Sequence, residues 1–479
     1  MKPGLPKKTF LAACVLLASG FVTASGGVMM QGFYWDVPGN GTWYNTMKEK
    51  AYGLRYMLGG AGIDRIWFPP VSKGASGGYS MGYDPYDYYD LGQYDQKGTV
   101  KTRFGSQAEL RAAIAEFKKL GVLSMADIVL NHRSNAEKKE VNPRTGGETW
   151  TDFSSVASGK MNWHWDSFHP NSYCGGDESA YGGYLDVCHR SGRAYNDFKE
   201  WLNWLKDPAN AGFTGGWRYD YVKGYPAWVN KDMNAATGGL MGVGEYWDRS
   251  MPLLDRWASE AGSSVLDFPL YYTLRDVLND TSGGGWLPDL FDPAKGFASK
   301  WDARSVTFVG NHDTDEIFAD KMMAYAFILT YKGYPCLYWK DYFDYGLAAG
   351  GGAGQGEGNG IKRLVWAREK LAAGGPNIQI LKSDDGDWIS YGSYGYSAES
   401  PGYIVVINDS PSAWKGGTVN TGNAYLKNKV LKAYAWSSAK SGQNYQPANQ
   451  FCDGGGNVQV WAPPRGYAVY SADGITLKQ

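Results

Sequence analysis

The chain has no surplus charge: its 479 residues carry 47 Lys and Arg against 48 Asp and Glu, a net charge of −1. That balance argues against nucleic acid, another polyanion or a membrane surface as its partner. Histidine and cysteine are scarce, with five residues each. No Gly-rich phosphate loop of the Walker kind is present. The longest apolar stretch, residues 9–22, falls short of the roughly 20 residues an ordinary transmembrane helix needs. Lys2, Lys7 and Lys8 precede it, and Val22-Thr23-Ala24 closes it with small residues. This is the pattern of a secretory leader, so residues 1–24 are set aside from the fold and the chain is expected to be secreted. Leu11-Ala12-Ala13-Cys14 offers a lipoprotein box as the alternative, with almost no apolar core ahead of it.

What the chain does have is 65 Gly, 35 Tyr and 20 Trp. Flat aromatic rings stack on the apolar faces of sugar rings, so the composition leans towards a carbohydrate ligand and away from a phosphorylated one, although a large core also uses aromatics. Short apolar runs at 28–34, 63–68, 122–130, 217–222, 240–244, 264–268, 305–309 and 335–339 alternate with helical stretches. In one of these stretches, Ser106 and Glu109 form a capping box ahead of a stripe at Leu110, Ile114 and Phe117, and Gly121 ends it. Eight such units predict an α/β fold, a (β/α)₈ barrel over residues 25–131 and 207–380, with its chemistry at the C-terminal strand ends. An open doubly wound sheet is the alternative. Residues 132–206 show no regular period and read as a subdomain inserted after the third strand. Residues 347–360 read as a surface loop. Residues 381–479 change to short alternating runs separated by turns, the pattern of an antiparallel β-sandwich.

Three acids fall at predicted strand ends: Asp220, Glu245 and Asp313. Arg218 shares a strand face with Asp220 and is expected to keep that carboxylate ionised. Tyr246 and Trp247 flank Glu245 and are expected to wall it, raising its pKa as a proton donor requires. Adjacent strands lie about 5 Å apart, which suits the carboxylate spacing of a retaining glycosidase. His132 and His312 sit just beyond strand ends, and no nucleophile-elbow serine accompanies them.

Four segments then carry a resemblance. Asp127-Ile128-Val129-Leu130-Asn131-His132, Gly216-Trp217-Arg218-Tyr219-Asp220, Val243-Gly244-Glu245-Tyr246-Trp247 and Phe308-Val309-Gly310-Asn311-His312-Asp313 resemble the signature segments of the α-amylase family, in order. The likeness covers residues 28–345, and Lys223-Gly224 is similar to the archaeal and plant type. The resemblance implies a secreted, endo-acting, retaining α-amylase, a monomer acting on starch, amylose and maltooligosaccharides. Asp220 would be the nucleophile, Glu245 the general acid and Asp313 the third acid. Tyr83, His132, Arg218, Lys223 and His312 would bind substrate or orient the nucleophile, and Asp127 would support the site. A transglycosylase or maltooligosaccharide-forming relative on the same fold is the alternative; a non-catalytic glycan binder would have lost an acid, and all three remain.

The resemblance also implies structural Ca²⁺ between barrel and insertion, held by Asn131, Asp177, Ser179, Asp186 and Gly224. Calcium takes six to eight oxygens, and two acids in a Gly-rich loop suit it. Cys174 and Cys188, with His169 near, leave two readings open, a disulfide or a Zn²⁺ site.

Overall fold

The computed structural model describes residues 27–175, 181–349, 360–440, 442–443 and 445–477. The leader, Asp177, Ser179 and most of the 347–360 loop lie outside them. Eight parallel strands close into a barrel: β1 (Met29–Gln31), β2 (Arg65–Phe68), β3 (Leu123–Ile128), β4 (Gly216–Tyr219), β5 (Gly242–Gly244), β6 (Ser264–Leu266), β7 (Ser305–Phe308) and β8 (Tyr334–Tyr338). Each lies within one of the eight predicted runs or overruns it by a single residue. Both faces of these strands are covered, which is why the runs read as continuously apolar instead of alternating. Ile66, Trp67 and Phe68 are all buried, as are Trp217 and Tyr219.

The helices between strands are amphipathic and pack outside the barrel. In the helix Gln107–Lys119, Ser106 accepts from the Glu109 N–H while the Glu109 side chain accepts from the Ser106 N–H. Among the described residues no helix is long and apolar enough to cross a membrane.

The insertion needs a correction at its far end. Its last residues, Gly192–Lys206, form a regular helix whose buried stripe is Ala194, Phe198, Trp201, Leu202 and Leu205. This helix packs on Ala227–Ala236, where Asn203 and Lys206 donate to the Ala236 and Thr237 carbonyls. It therefore serves as the barrel helix ahead of β4. Its aromatic-rich stripe merges with the Trp-rich loop before it, which hid the period. The rest of the insertion is a hairpin, Lys138–Val141 with Glu148–Asp152, and irregular chain pinned to the barrel by a two-residue bridge, His132–Arg133 with Leu185–Asp186.

The C-terminal region forms antiparallel strands β9 (Ile378–Lys382), β10 (Trp388–Tyr394), β11 (Gly402–Asn408), β12 (Lys415–Asn420), β13 (Lys429–Ser438), β14 (Gln450–Cys452), β15 (Asn457–Ala462) and β16 (Gly466–Ala472). Six make one curled sheet in the order β9-β10-β11-β16-β13-β14, and β12 with β15 makes a second. Side chains alternate along a strand. In β11, Tyr403, Val405 and Ile407 join the barrel core, while Ile404 and Val406 join a separate core with Val419, Val458 and Val460. One sheet thus seals the barrel flank and closes a small sandwich.

Candidate active site

The three predicted acids meet at the C-terminal mouth of the barrel, around one buried cation. Arg218, on β4, is fully buried. Its Nη1 donates to Asp127 at 2.8 Å and to Asp220 at 2.9 Å, and its Nη2 contacts Glu245 Oε1 at 2.5 Å. Asp127 also accepts from Trp67 Nε1 at 3.0 Å and from the Tyr83 hydroxyl at 2.8 Å. Tyr221, just past Asp220, has a left-handed backbone at φ 43°, an uncommon conformation for a non-glycine residue. There its N–H donates to Glu245 Oε2 at 3.0 Å. Asp313 Oδ2 lies 3.0 Å from His312 Nε2, and the His312 Nδ1 pairs with the Gln31 side chain at 2.7 Å.

These contacts revise the electrostatics expected from sequence. One guanidinium serves three carboxylates, so Arg218 does not hold Asp220 ionised by itself. Burial pushes the Asp220 carboxyl up, Arg218 draws it back, and repulsion from Glu245 raises it again. Burial likewise raises Glu245 against the pull of Arg218. Both carboxyls are thus shifted towards their neutral forms. Asp313 differs: burial opposes its ionisation, but the hydrogen bond and charge of His312 outweigh it and bring its carboxyl below the usual range. The predicted aromatic walls are also rearranged. Tyr246 packs on Trp257, while Trp247 stacks on Phe268 at 5.1 Å and donates to the Tyr272 hydroxyl at 2.7 Å.

The acids open into a cleft of about 420 Å³ lined by Trp35, Tyr83, Tyr181, Asp220, Tyr221, Lys223, Glu245, Trp247 and Asp313. Tyr83 lies parallel to His312 at 5.2 Å. Lys223 stands at the rim, bonded to Asp248 at 2.9 Å. Trp35, Tyr181 and Tyr221 were not singled out from sequence. Tyr221 lies two residues beyond β4 and Trp35 four beyond β1, positions that would have flagged them; Tyr181 sits in a loop with no such signal.

His132 is more enclosed than its place beyond β3 suggests. It is fully buried. Its Nε2 bonds the Tyr83 carbonyl at 2.8 Å and its Nδ1 lies 3.3 Å from Asn131 Nδ2. Burial pulls its pKa down to about 4, so the ring is neutral.

Of the expected calcium ligands, Asn131, Asp186 and Gly224 come together. Asp186 pairs in register with His132, and the Val187 N–H donates to the Asn131 carbonyl at 3.0 Å. Among the described residues Asn131 Oδ1 is buried without a hydrogen-bond partner, facing the Gly224 backbone so closely that a Cβ there would collide with it. An orphaned buried oxygen is costly unless something pairs with it, so these residues fit a cation. Cys174 and Cys188 are joined as a disulfide beside His169. Bonded sulfurs cannot serve as the thiolates that a zinc site needs, so the structure gives the disulfide reading.

Comparison with known proteins fits this site. A family model described as "Alpha amylase, catalytic domain" matches residues 51–190. This stretch therefore resembles the catalytic domain of the α-amylase family. The chain is 29% identical to a cytoplasmic alpha-amylase of Escherichia coli over 90% of this chain and 98% of that protein. It is equally 29% identical to an alpha-amylase of Bacillus licheniformis, over 87% and 90%. A glucan 1,4-alpha-maltohexaosidase of a Bacillus species is 27% identical over 91% and 92%. The fold matches a Geobacillus thermoleovorans alpha-amylase solved with acarbose at a TM-score of 0.67, with 16% identity over 93% of this chain and 98% of that one. These α-amylase-family relatives make the chain a glycoside hydrolase of the amylase type, with a polysaccharide as its class of substrate.

Proposed function

We propose that the protein is a secreted α-amylase that cuts internal α-1,4 bonds of starch-like glucans with retention of anomeric configuration. The observation that carries this reading is the pair Asp220 and Glu245, held by separate nitrogens of Arg218 at the mouth of one cleft. Sharing one guanidinium favours the closer spacing of retaining enzymes, about 5–5.5 Å, over the 6.5–9.5 Å that leaves room for a water. Asp220 attacks the anomeric carbon as the glycosidic C–O bond breaks, and Glu245, whose carboxyl burial raises, gives its proton to the departing oxygen. Glu245 then takes a proton from water, which displaces Asp220 and releases the sugar. Asp313, kept ionised by His312, binds sugar hydroxyls and faces the positive charge that develops at the ring. Tyr83 gives the sugar a flat apolar face. Lys223 and Trp247 form the wall where the departing chain leaves.

Asn131, Asp186 and Gly224, with Asp177 and Ser179, would hold a calcium ion that ties the insertion to the barrel. Such an ion supplies fixed positive charge and takes no part in bond breaking. The leader-like first 24 residues support export, and we infer a monomer. A transglycosylase on the same fold is the competing reading, and relatives of both kinds surround this chain. Product analysis separates them: amylose digests should give shorter oligomers of initial α configuration, whereas longer or cyclic products would favour transfer.

A further inference from the structure

A second concavity lies where the barrel meets the sandwich, and it shares no lining residue with the catalytic cleft. It holds about 310 Å³. Glu316 and Phe318 from the loop after β7, with Tyr345 beyond β8, stand at its exposed side, and the buried Ser437 of β13 and Tyr467 of β16 back it. Two rings are open to solvent there: Phe318 is 74% exposed and Tyr345 41%. Neither is loose. Ile317 is buried, the Phe318 N–H donates to Asn279 Oδ1 at 3.1 Å, and Asp320 is buried two residues later. The Tyr345 hydroxyl donates to Glu316 at 2.7 Å, and the Lys321 ammonium lies 4.5 Å from the ring centre. Lys321 in turn pairs with Glu316 at 3.3 Å and with Asp341 at 2.7 Å. Arg465 closes the floor with all three guanidinium nitrogens engaged, so it offers no donor to a ligand.

We propose that this cavity is an outlying glucan-binding site, with Phe318 and Tyr345 as its platforms. Exposed rings rimmed by polar groups mark a ligand surface. Because Glu316 and Lys321 neutralise each other, the rim does not select a charged ligand. It offers a carboxylate and an ammonium to hydroxyls, and rings to the apolar faces of a sugar. The cavity adjoins the cleft along two routes. Glu316 lies three residues beyond Asp313, and Lys340 reaches Tyr345 at 5.4 Å and Tyr34, the neighbour of Trp35, at 5.9 Å. A long glucan held at the acids therefore engages the cavity as a second attachment on the same molecule, whereas a short oligosaccharide fills the cleft alone. This rests on the glucan reading above and adds a preference for chain length.

The test is the ratio of kcat/KM on amylose to kcat/KM on maltotetraose, measured on the full chain. Phe318→Ala should lower that ratio about tenfold. Tyr345→Ala should lower it similarly, and Tyr345→Phe, which keeps the ring, should restore most of it. The melting temperature of Phe318→Ala should match the wild type, because its ring is exposed, so the fall is not unfolding. An unchanged ratio, whether both constants hold or both drop together, would overturn the proposal. A raised ratio would overturn it too, since Phe318 would then stand in the way of the polymer. A ratio that shifts with enzyme concentration would make the cavity a face for a second copy and equally overturn it. An inactive wild-type chain would sink the glucan reading itself, whereas an active chain with an unchanged ratio would sink this site alone.

Discussion

The insertion and the C-terminal sandwich are both appended to the same barrel, yet they are held by different physics. The sandwich is secured by strand alternation: one face of β11 enters the barrel core and the other its own. Its seam adds a clamp, Arg465, which bonds Asp320 at 2.6 Å and the Asp280 carbonyl at 2.8 Å and also reaches Asp409. The insertion has little sheet. It is gathered around Arg133, buried without an acid partner among the described residues, whose guanidinium lies 3.9 Å from the Phe153 ring centre and 4.9 Å from that of Trp163. The same group donates to the Tyr86 and Met161 carbonyls. A region built on alternating apolar strands relies on those strands and an ion-paired clamp at the seam. One built from irregular chain needs a buried cation, a disulfide and, on the present reading, a metal ion; it is also the region that places Tyr181 in the cleft.

The comparison can be broken at either cation. Arg465→Ala leaves two buried carboxylates unpaired and should cost about 3–5 kcal/mol in urea unfolding, with starch turnover per folded molecule little changed. Arg133→Ala leaves carbonyls unsatisfied and rings unsupported, at about 2–3 kcal/mol, and should weaken maltooligosaccharide binding as well. A larger stability loss from Arg133, or a binding loss from Arg465 alone, would reverse the contrast. The smallest effect expected is that of chelation. EDTA should lower the melting temperature, by removing the ion beside Asn131; an unchanged melt would remove calcium from the account.

The barrel was legible because its strands are buried on both faces and separated by capped helices, a pattern carried by consecutive residues such as Ser106 to Phe117. The acids were legible because each follows a strand end. What linear reading could not show was sharing across strands. That Arg218 serves Asp127 and Glu245 as well as Asp220 depends on three strands meeting, and this sharing changes the predicted charge state of Asp220. The enclosure of His132 was hidden for a related reason. Its position after β3 points towards the cleft, but the covering rings come from a loop some fifty residues later. The helix Gly192–Lys206 was lost to the aromatic richness of its surroundings.

The most direct test of the central claim is kcat on soluble starch for Glu245→Gln and Asp220→Asn, measured beside their melting temperatures. Each should fall by at least about a thousandfold while the protein stays folded, since each removes a group that acts only in bond breaking. Near-normal turnover in either folded variant would contradict the assignment of the pair on Arg218 as the groups that cut the glucan.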